Sequence, residues 1–307
     1  MKKILIILLI IIFSSLMIFI NFKFFKEILI NTKKKENNKL MVTTTLYYQY
    51  DFVKNIVGNK AEVVFLLPSG IETHCYEPKP SDIIKIYNSD IFIYNDKNME
   101  PWIEKIISNS PKNKKISFVN CSKNIPLIKN NNIYDYHFWL NPLYSMIIID
   151  NMLKYICEKD MQNKNIYIKN ANTYKKKLKK LDNDIWKIVN AKKKDTLFFG
   201  GHFPYIYFLN HYNLKYVSLY NSCLFESEPS IKNIKKFINY IKKNNISYIY
   251  YEKFTFSKIE NLIVQETGVK PLLFNSAHNV SNKEIIQKKT YLDIMYDNLL
   301  NLEKGLI

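Results

Sequence analysis

The 307-residue sequence contains no arginine, so its formal charge of +18 comes from lysine alone. That absence removes the planar guanidinium fork that grips phosphate and guanine through two parallel hydrogen bonds. The lysines are scattered over helix-like stretches rather than gathered in one arm, in a chain crowded with Ile, Asn, Lys and Tyr. The charge therefore reads as compositional bias, and it argues against nucleic acid as a partner. Cysteine is sparse as well. Cys75, Cys121, Cys157 and Cys223 lie far apart and form no CxxC pair, which excludes a thiolate metal knuckle and a dithiol redox motif. What is plentiful is apolar surface: 47% of residues are hydrophobic and 15% aromatic, enough for packed cores in two domains of ordinary size.

Met1-Lys2-Lys3 followed by the apolar run Ile4 to Ile20 directs the chain out of the cytoplasm. The run continues past Asn21 into Phe22, Phe24 and Phe25. It thus exceeds the roughly 7–15 residues of a signal-peptide core and approaches the roughly 20 of a spanning helix. No small-x-small cleavage site follows, and no cysteine lies nearby to take a lipid. The expectation is an uncleaved membrane anchor over residues 1–25 with the remainder on the extracytoplasmic face, then a solvated Lys/Asn-rich tether over 26–40.

From Met41 the pattern alternates strand-like and helix-like runs. Strands are predicted at Met41–Tyr47, Ala61–Leu67, Ile91–Asn95 and Ile116–Asn120, with helices at Tyr48–Val57, Pro80–Asn88 and Pro101–Ser108 between them. A loop over Cys121–Leu140 leads to Asn141-Pro142, an N-cap followed by proline at the first helical position. One helix reaches about Asp160. A second, from about Asn163 to Lys192, spaces its apolar residues three to five apart and is long enough to connect two lobes. The alternation then resumes: strands at Thr196–Gly200, Lys215–Tyr220, Ile246–Glu252 and Pro271–Phe274, helices at Pro204–His211, Glu228–Asn244 and Ser257–Gly268, and a final helix over Ile285–Gly305. The fold class is α/β: two lobes, each a mainly parallel sheet flanked by helices, over 41–160 and 194–307, bridged by one long helix over 161–193. Ligands of such sheets gather at the carboxyl ends of the strands, here the cleft between the lobes.

Four of the five histidines sit in that context. His74, His137, His202 and His278 each lie in a short polar or aromatic loop just beyond a β-like run or just before a helix start, two per lobe. Taken singly, each reads as well as a hydrogen-bonded structural histidine. Taken together, they point to one metal. Four neutral imidazoles close a tetrahedron around zinc without a charged ligand, whereas magnesium and calcium take oxygen ligands. Asp135, two residues before His137, and Glu72 and Glu77, flanking His74, are available to accept the far ring N–H. Cys75 is a possible extra ligand whose side chain should point away from that of His74. His211 is structural or exposed. Glu252, at a strand end, could approach the cleft.

Several stretches together carry a resemblance: Val42-Thr43-Thr44-Thr45, Glu72-Thr73-His74-Cys75-Tyr76-Glu77-Pro78, Ile91 to Asn95, Met99-Glu100-Pro101-Trp102 and His137-Phe138-Trp139-Leu140-Asn141-Pro142. The second half adds Gly201-His202-Phe203, Glu228-Pro229-Ser230 and Tyr291-Leu292-Asp293-Ile294-Met295. From about Val42 to the C-terminus the chain resembles the metal-specific solute-binding proteins of zinc and manganese ABC transporters, the TroA-like family. The resemblance implies a metal buried between two α/β lobes and matches the first three family ligands to His74, His137 and His202. The fourth, usually acidic, falls near His278, while a strict alignment of the last loop offers Asn275 instead. Asn141 stands where the family usually has Asp, and the His-rich loop of many zinc-specific members is missing between Cys121 and His137.

The expected function is that of an extracytoplasmic, membrane-tethered and monomeric binding protein, not an enzyme, that takes up a divalent metal, zinc by preference, and passes it to an ABC transporter permease. Two alternatives remain open from the residues: a manganese-specific protein, which would want a carboxylate ligand, and a zinc hydrolase, which needs an open coordination position. If His278 is not a ligand, that position returns and Glu252 becomes the base to test. A surface adhesin that keeps the fold without transport is a third.

Overall fold

Strand β3 (Ile91–Tyr94) is buried at every position, the mark of a strand covered on both faces. It lies inside a four-stranded sheet ordered β2-β1-β3-β4, with β1 at Leu40–Thr44, β2 at Ala61–Phe65 and β4 at Ser117–Asn120. β3 runs parallel to both β1 and β4. The computed structural model describes residues 39–71, 73–130, 133–220, 229–254 and 258–307, with only the backbone of Cys75, Asn130 and Ile133. The expected anchor, most of the tether, Glu72, Cys223 and Glu228 lie outside the described residues. Among the described residues no helix is long and apolar enough to cross a membrane.

The connections are helical, as parallel strands require. α1 (Tyr47–Val57) starts earlier than the apolar pattern suggests, because Gln49 folds back to cap it: its Oε1 accepts from the Thr45 and Leu46 N–H groups, each at 3.0 Å. α2 (Pro80–Asn88) and α3 (Ile103–Ser108) follow. Ile86, Phe92, Ile103 and Ile106 pack together under this sheet. The stretch read as one loop contains a small antiparallel ribbon, β5 (Lys129–Asn130) with β6 (Ile133–Tyr134). Two-residue strands are too short to leave an alternation in sequence.

α4 (Pro142–Lys159) is capped by Asn141, whose Oδ1 accepts from the Leu143 N–H at 2.9 Å, so an amide serves where an aspartate would. α5 (Lys164–Asn190) is the long connector. Near its start Asn170 donates to the Ile56 carbonyl and Tyr174 donates to Asp51. Further along, Asp182 meets His211 and Tyr212, and Asp184 accepts from Tyr296. One helix thus bonds to elements of both lobes.

The second sheet is ordered β10-β9-β7-β8 and is parallel throughout: β7 Thr196–Phe199, β8 Lys215–Ser218, β9 Tyr248–Tyr251 and β10 Lys270–Leu273. Its helices are α6 (Ile206–His211), α7 (Ile231–Lys243) and α8 (Lys258–Thr267). Phe198, Phe237, Ile241, Ile249 and Ile263 form its core. The single final helix expected over Ile285–Gly305 is two: α9 (Asn282–Ile286) and α10 (Tyr291–Leu306). Each opens on its own capping box, Ser281 with Glu284 and Thr290 with Asp293, and Lys288 between them takes a left-handed φ of 53°. Met41–Ile307 forms one compact unit.

Candidate metal centre

Each of the four histidines is delivered by a local device. His74 sits in a one-turn 3-10 helix, Thr73–Cys75, in the loop after β2. His137 precedes a second such turn, Phe138–Leu140, which runs into α4. His202 follows β7 at a Gly200-Gly201 break, and glycine is needed there: a Cβ on Gly201 would lie 1.8 Å from Glu260 Oε1 of α8. His278 lies in the loop after β10, where Asn275 Oδ1 accepts from the Ala277 N–H at 2.8 Å and Ala277 adopts φ 58°.

These loops converge. The ring of His74 is 5.5 Å from His137, 5.7 Å from His202 and 5.6 Å from His278, centroid to centroid, and His137 is 4.8 Å from His278. One ring nitrogen each from His74, His137 and His278 falls within a 4.8 Å cluster, with His202 beside it. His137, His202 and His278 are buried, at 3%, 6% and 6% exposure, and His74 is half-buried. His211 stands apart, its Nε2 2.8 Å from Asp182 and its ring beside Trp186.

The proton positions follow from the neighbours. Asp135 Oδ1 lies 3.0 Å from His137 Nδ1 and also accepts the His137 backbone N–H at 2.8 Å. A carboxylate only accepts, so the His137 ring proton belongs on Nδ1 and the lone pair on Nε2. That Nε2, like the Nε2 of His278, is buried with no hydrogen-bond partner. Burial, and then the neighbouring His137 and His202, hold the His74 imidazole well below its usual pKa; burial, and then His137, His74 and His202, do the same to His278. Two imidazoles held neutral, with the buried Nε2 atoms of His137 and His278 left without a partner, fit a borderline divalent cation. A magnesium or calcium site would instead present oxygens.

The other candidates are occupied elsewhere. Asn275 is spent on its own loop: it caps Ala277, and its backbone N–H and C=O pair with the Asn298 side chain at 2.7 Å each. Glu252 is buried, and its carboxylate accepts from the Ser276 N–H at 3.0 Å and the Ser276 hydroxyl at 2.7 Å, with the Tyr205 hydroxyl also donating to it. Glu77 is exposed, while Glu72 and the Cys75 side chain lie outside the described residues. Cys121 and Cys157 are free, buried thiols.

The residues that fasten the His278 loop were not picked out from sequence. The Tyr47 N–H donates to the His278 carbonyl at 2.8 Å, the Gly70 N–H to Val280 at 3.2 Å, and the Trp139 indole to the Ser276 carbonyl at 2.7 Å. Asn279 Nδ2 reaches the carbonyls of Pro68 and Ile71 at 2.7 and 2.9 Å. One signal was legible: Asp135-x-His137 and Ser276-x-His278 place a polar side chain at the same spacing before a histidine.

Residues 42–305 match a family model described as ZnuA, the periplasmic zinc-uptake complex component A. The chain is 31% identical over 276 residues to the high-affinity zinc uptake system protein ZnuA of Bacillus subtilis, covering 85% of this chain and 86% of that protein. It is 30% identical over 280 residues to the zinc-binding protein AdcA of Streptococcus pyogenes, covering 83% of this chain but only 54% of that longer relative. The Zn(II)-bound ZnuA-like domain of Streptococcus pneumoniae AdcA shares the fold at a TM-score of 0.77 and 29% identity, covering 88% of this chain and 99% of that domain.

Proposed function

The chain belongs to the ZnuA family of zinc-uptake components, and on that premise we propose that it captures one zinc ion among His74, His137, His202 and His278 and passes it to the permease of an ABC transporter. It is a binding component, not an enzyme. The observation that carries the ligand assignment is the pair of buried Nε2 atoms on His137 and His278, without hydrogen-bond partners, clustered with a ring nitrogen of His74. In a tetrahedral zinc site the Zn–N distance is about 2.0–2.1 Å, so ligand nitrogens lie about 3.3 Å apart. The ring nitrogens of His74, His137 and His278, all within 4.8 Å of one another, are near enough to close on one ion.

All four side chains offer nitrogen and none offers a carboxylate oxygen, which favours zinc over manganese. His278 is preferred to Asn275 as the fourth ligand because the Asn275 amide already closes its own turn. Trapping by ligands from both lobes suits a carrier, since it encloses the ion until a partner separates them. Working on the extracytoplasmic side, the chain would be held there as a monomer by its N-terminal apolar segment, Ile4 to Ile20.

The test is zinc content and competitive zinc and manganese titration of the purified full chain and of His278→Ala. One tightly held zinc, weakened at least a hundredfold in the variant, is the expected outcome. Manganese preference, or unaltered zinc affinity in H278A, would sink the four-histidine assignment.

A further inference from the structure

His278 lacks the carboxylate that His137 has beside it. Where Asp135 touches His137 directly, the residue two before His278 is Ser276, and its hydroxyl meets His278 Nδ1. Ser276 has one proton to give, and Glu252 Oε1 sits 2.7 Å from its oxygen. A carboxylate accepts only, so the serine proton points to Glu252 and the serine oxygen is left as an acceptor. The His278 backbone N–H also approaches that oxygen, at 3.5 Å. The ring nitrogen facing Ser276 must then be the donor.

We propose that Glu252 is a positioning residue for metal capture: through the Ser276 hydroxyl it keeps the His278 proton on Nδ1, so that His278 turns a lone pair on Nε2 toward His74 and His137. The inference rests on the metal-site reading above and deepens it. Glu252 and Ser276 are 3% and 0% exposed, so water does not compete for either bond. The left-handed φ of 58° at Ala277 turns the chain between Ser276 and His278, in the loop where their side chains meet. With Asp135 and Glu252 each serving one imidazole, two buried carboxylates stand behind a site built for a dication. A residue directly after β9 on the second lobe thus sets the chemistry of a histidine whose backbone is fastened to the first.

The experiment compares Glu252→Gln, Ser276→Ala and His278→Ala in the full chain by zinc titration and by imidazole nitrogen NMR of the metal-free protein. Outer hydrogen-bond partners of metal-binding histidines are worth roughly 10- to 100-fold in affinity. E252Q and S276A should each lose that much, and the His278 signal should move from the Nδ1-protonated tautomer to a mixture. A purely structural role would not change the tautomer of a folded protein. If E252Q fails to fold, S276A decides alone. Unchanged tautomer and affinity in S276A, with zinc still weakened in H278A, would overturn the relay and leave the site standing; unchanged affinity in H278A would overturn both.

Discussion

The Trp139 indole N–H donates to the carbonyl of Ser276 at 2.7 Å, tying the turn behind His137 to the loop that carries His278. Trp139 is fully buried, stacked on Tyr48 at 4.5 Å and 12°, and its own carbonyl accepts from the Tyr291 hydroxyl at 2.6 Å. Two histidine-bearing loops far apart in the chain are therefore registered against one another before any metal arrives.

Trp139→Phe keeps an aromatic ring on Tyr48 and deletes only the donor. Leaving a buried carbonyl unpaired costs about 1–3 kcal/mol. Urea unfolding of the metal-free protein should show that loss, and zinc affinity should fall with it. Full stability in W139F would mean that the loop is held by its other bonds alone.

The depressed pKa values of His74 and His278 shape how these two ligands respond to pH. Both rings are already neutral above the ordinary histidine value of about 6.5, so protons compete with zinc only below it. Through these two ligands zinc affinity should not change from pH 8 to about 6.5 and should decline only well below that. Imidazole NMR titration of the metal-free protein checks this directly, and titration of His74 or His278 near 6.5 would contradict the depressed values. The same shift affects folding: between the depressed folded value and about 6.5 the unfolded chain binds protons that the folded chain does not, so metal-free stability falls as pH falls through that window.

Glu100 acts in the opposite sense. Burial pushes its carboxyl up to about 7, although the Thr45 side chain and the Asn95 and Asp96 backbone, with the Asn95 N–H at 2.6 Å, favour its charged form. Between the ordinary carboxyl value of 4.5 and about 7 the folded state holds a proton that the unfolded state has lost, so stability declines as pH rises, by up to about 1.4 kcal/mol per unit. Glu100→Gln should flatten this slope. The difference between native and E100Q unfolding curves across pH 5 to 8 isolates it, because the histidine contribution is common to both; identical slopes would refute the raised value.

Gly201→Ala sets a methyl 1.8 Å from Glu260 Oε1, whereas Gly200→Ala meets Ile249 at 3.2 Å, a contact a side chain can relax. Crowding of this kind costs roughly 1–3 kcal/mol. G201A should be the more destabilised of the two and should bind zinc more weakly, since Gly201 adjoins His202. Thermal unfolding with zinc titration would check both; equal behaviour would show that the Glu260 carboxyl swings aside.

Much of the architecture was legible because parallel βα units write themselves into short apolar runs and punctuated helices. β3, β7, β9 and the connector α5 fall where the pattern put them. The last helix did not, because capping boxes at Ser281 and Thr290 divide a stretch that reads as continuous when only its apolar residues are followed. The β5–β6 ribbon was invisible for want of length.

Composition and residue type alone determined that this chain would build two α/β lobes and that its histidines, having no paired thiolates beside them, were its candidate metal ligands, since strand periodicity and ligand chemistry are local properties. Only the tertiary structure decided that Asn275 closes a turn while His278 faces the cluster, and that Ser276 links His278 to Glu252, 24 residues earlier in the chain. A turn's hand, a ring's orientation and a bond between distant residues depend on how loops from two sheets pack against each other, and no local pattern records that.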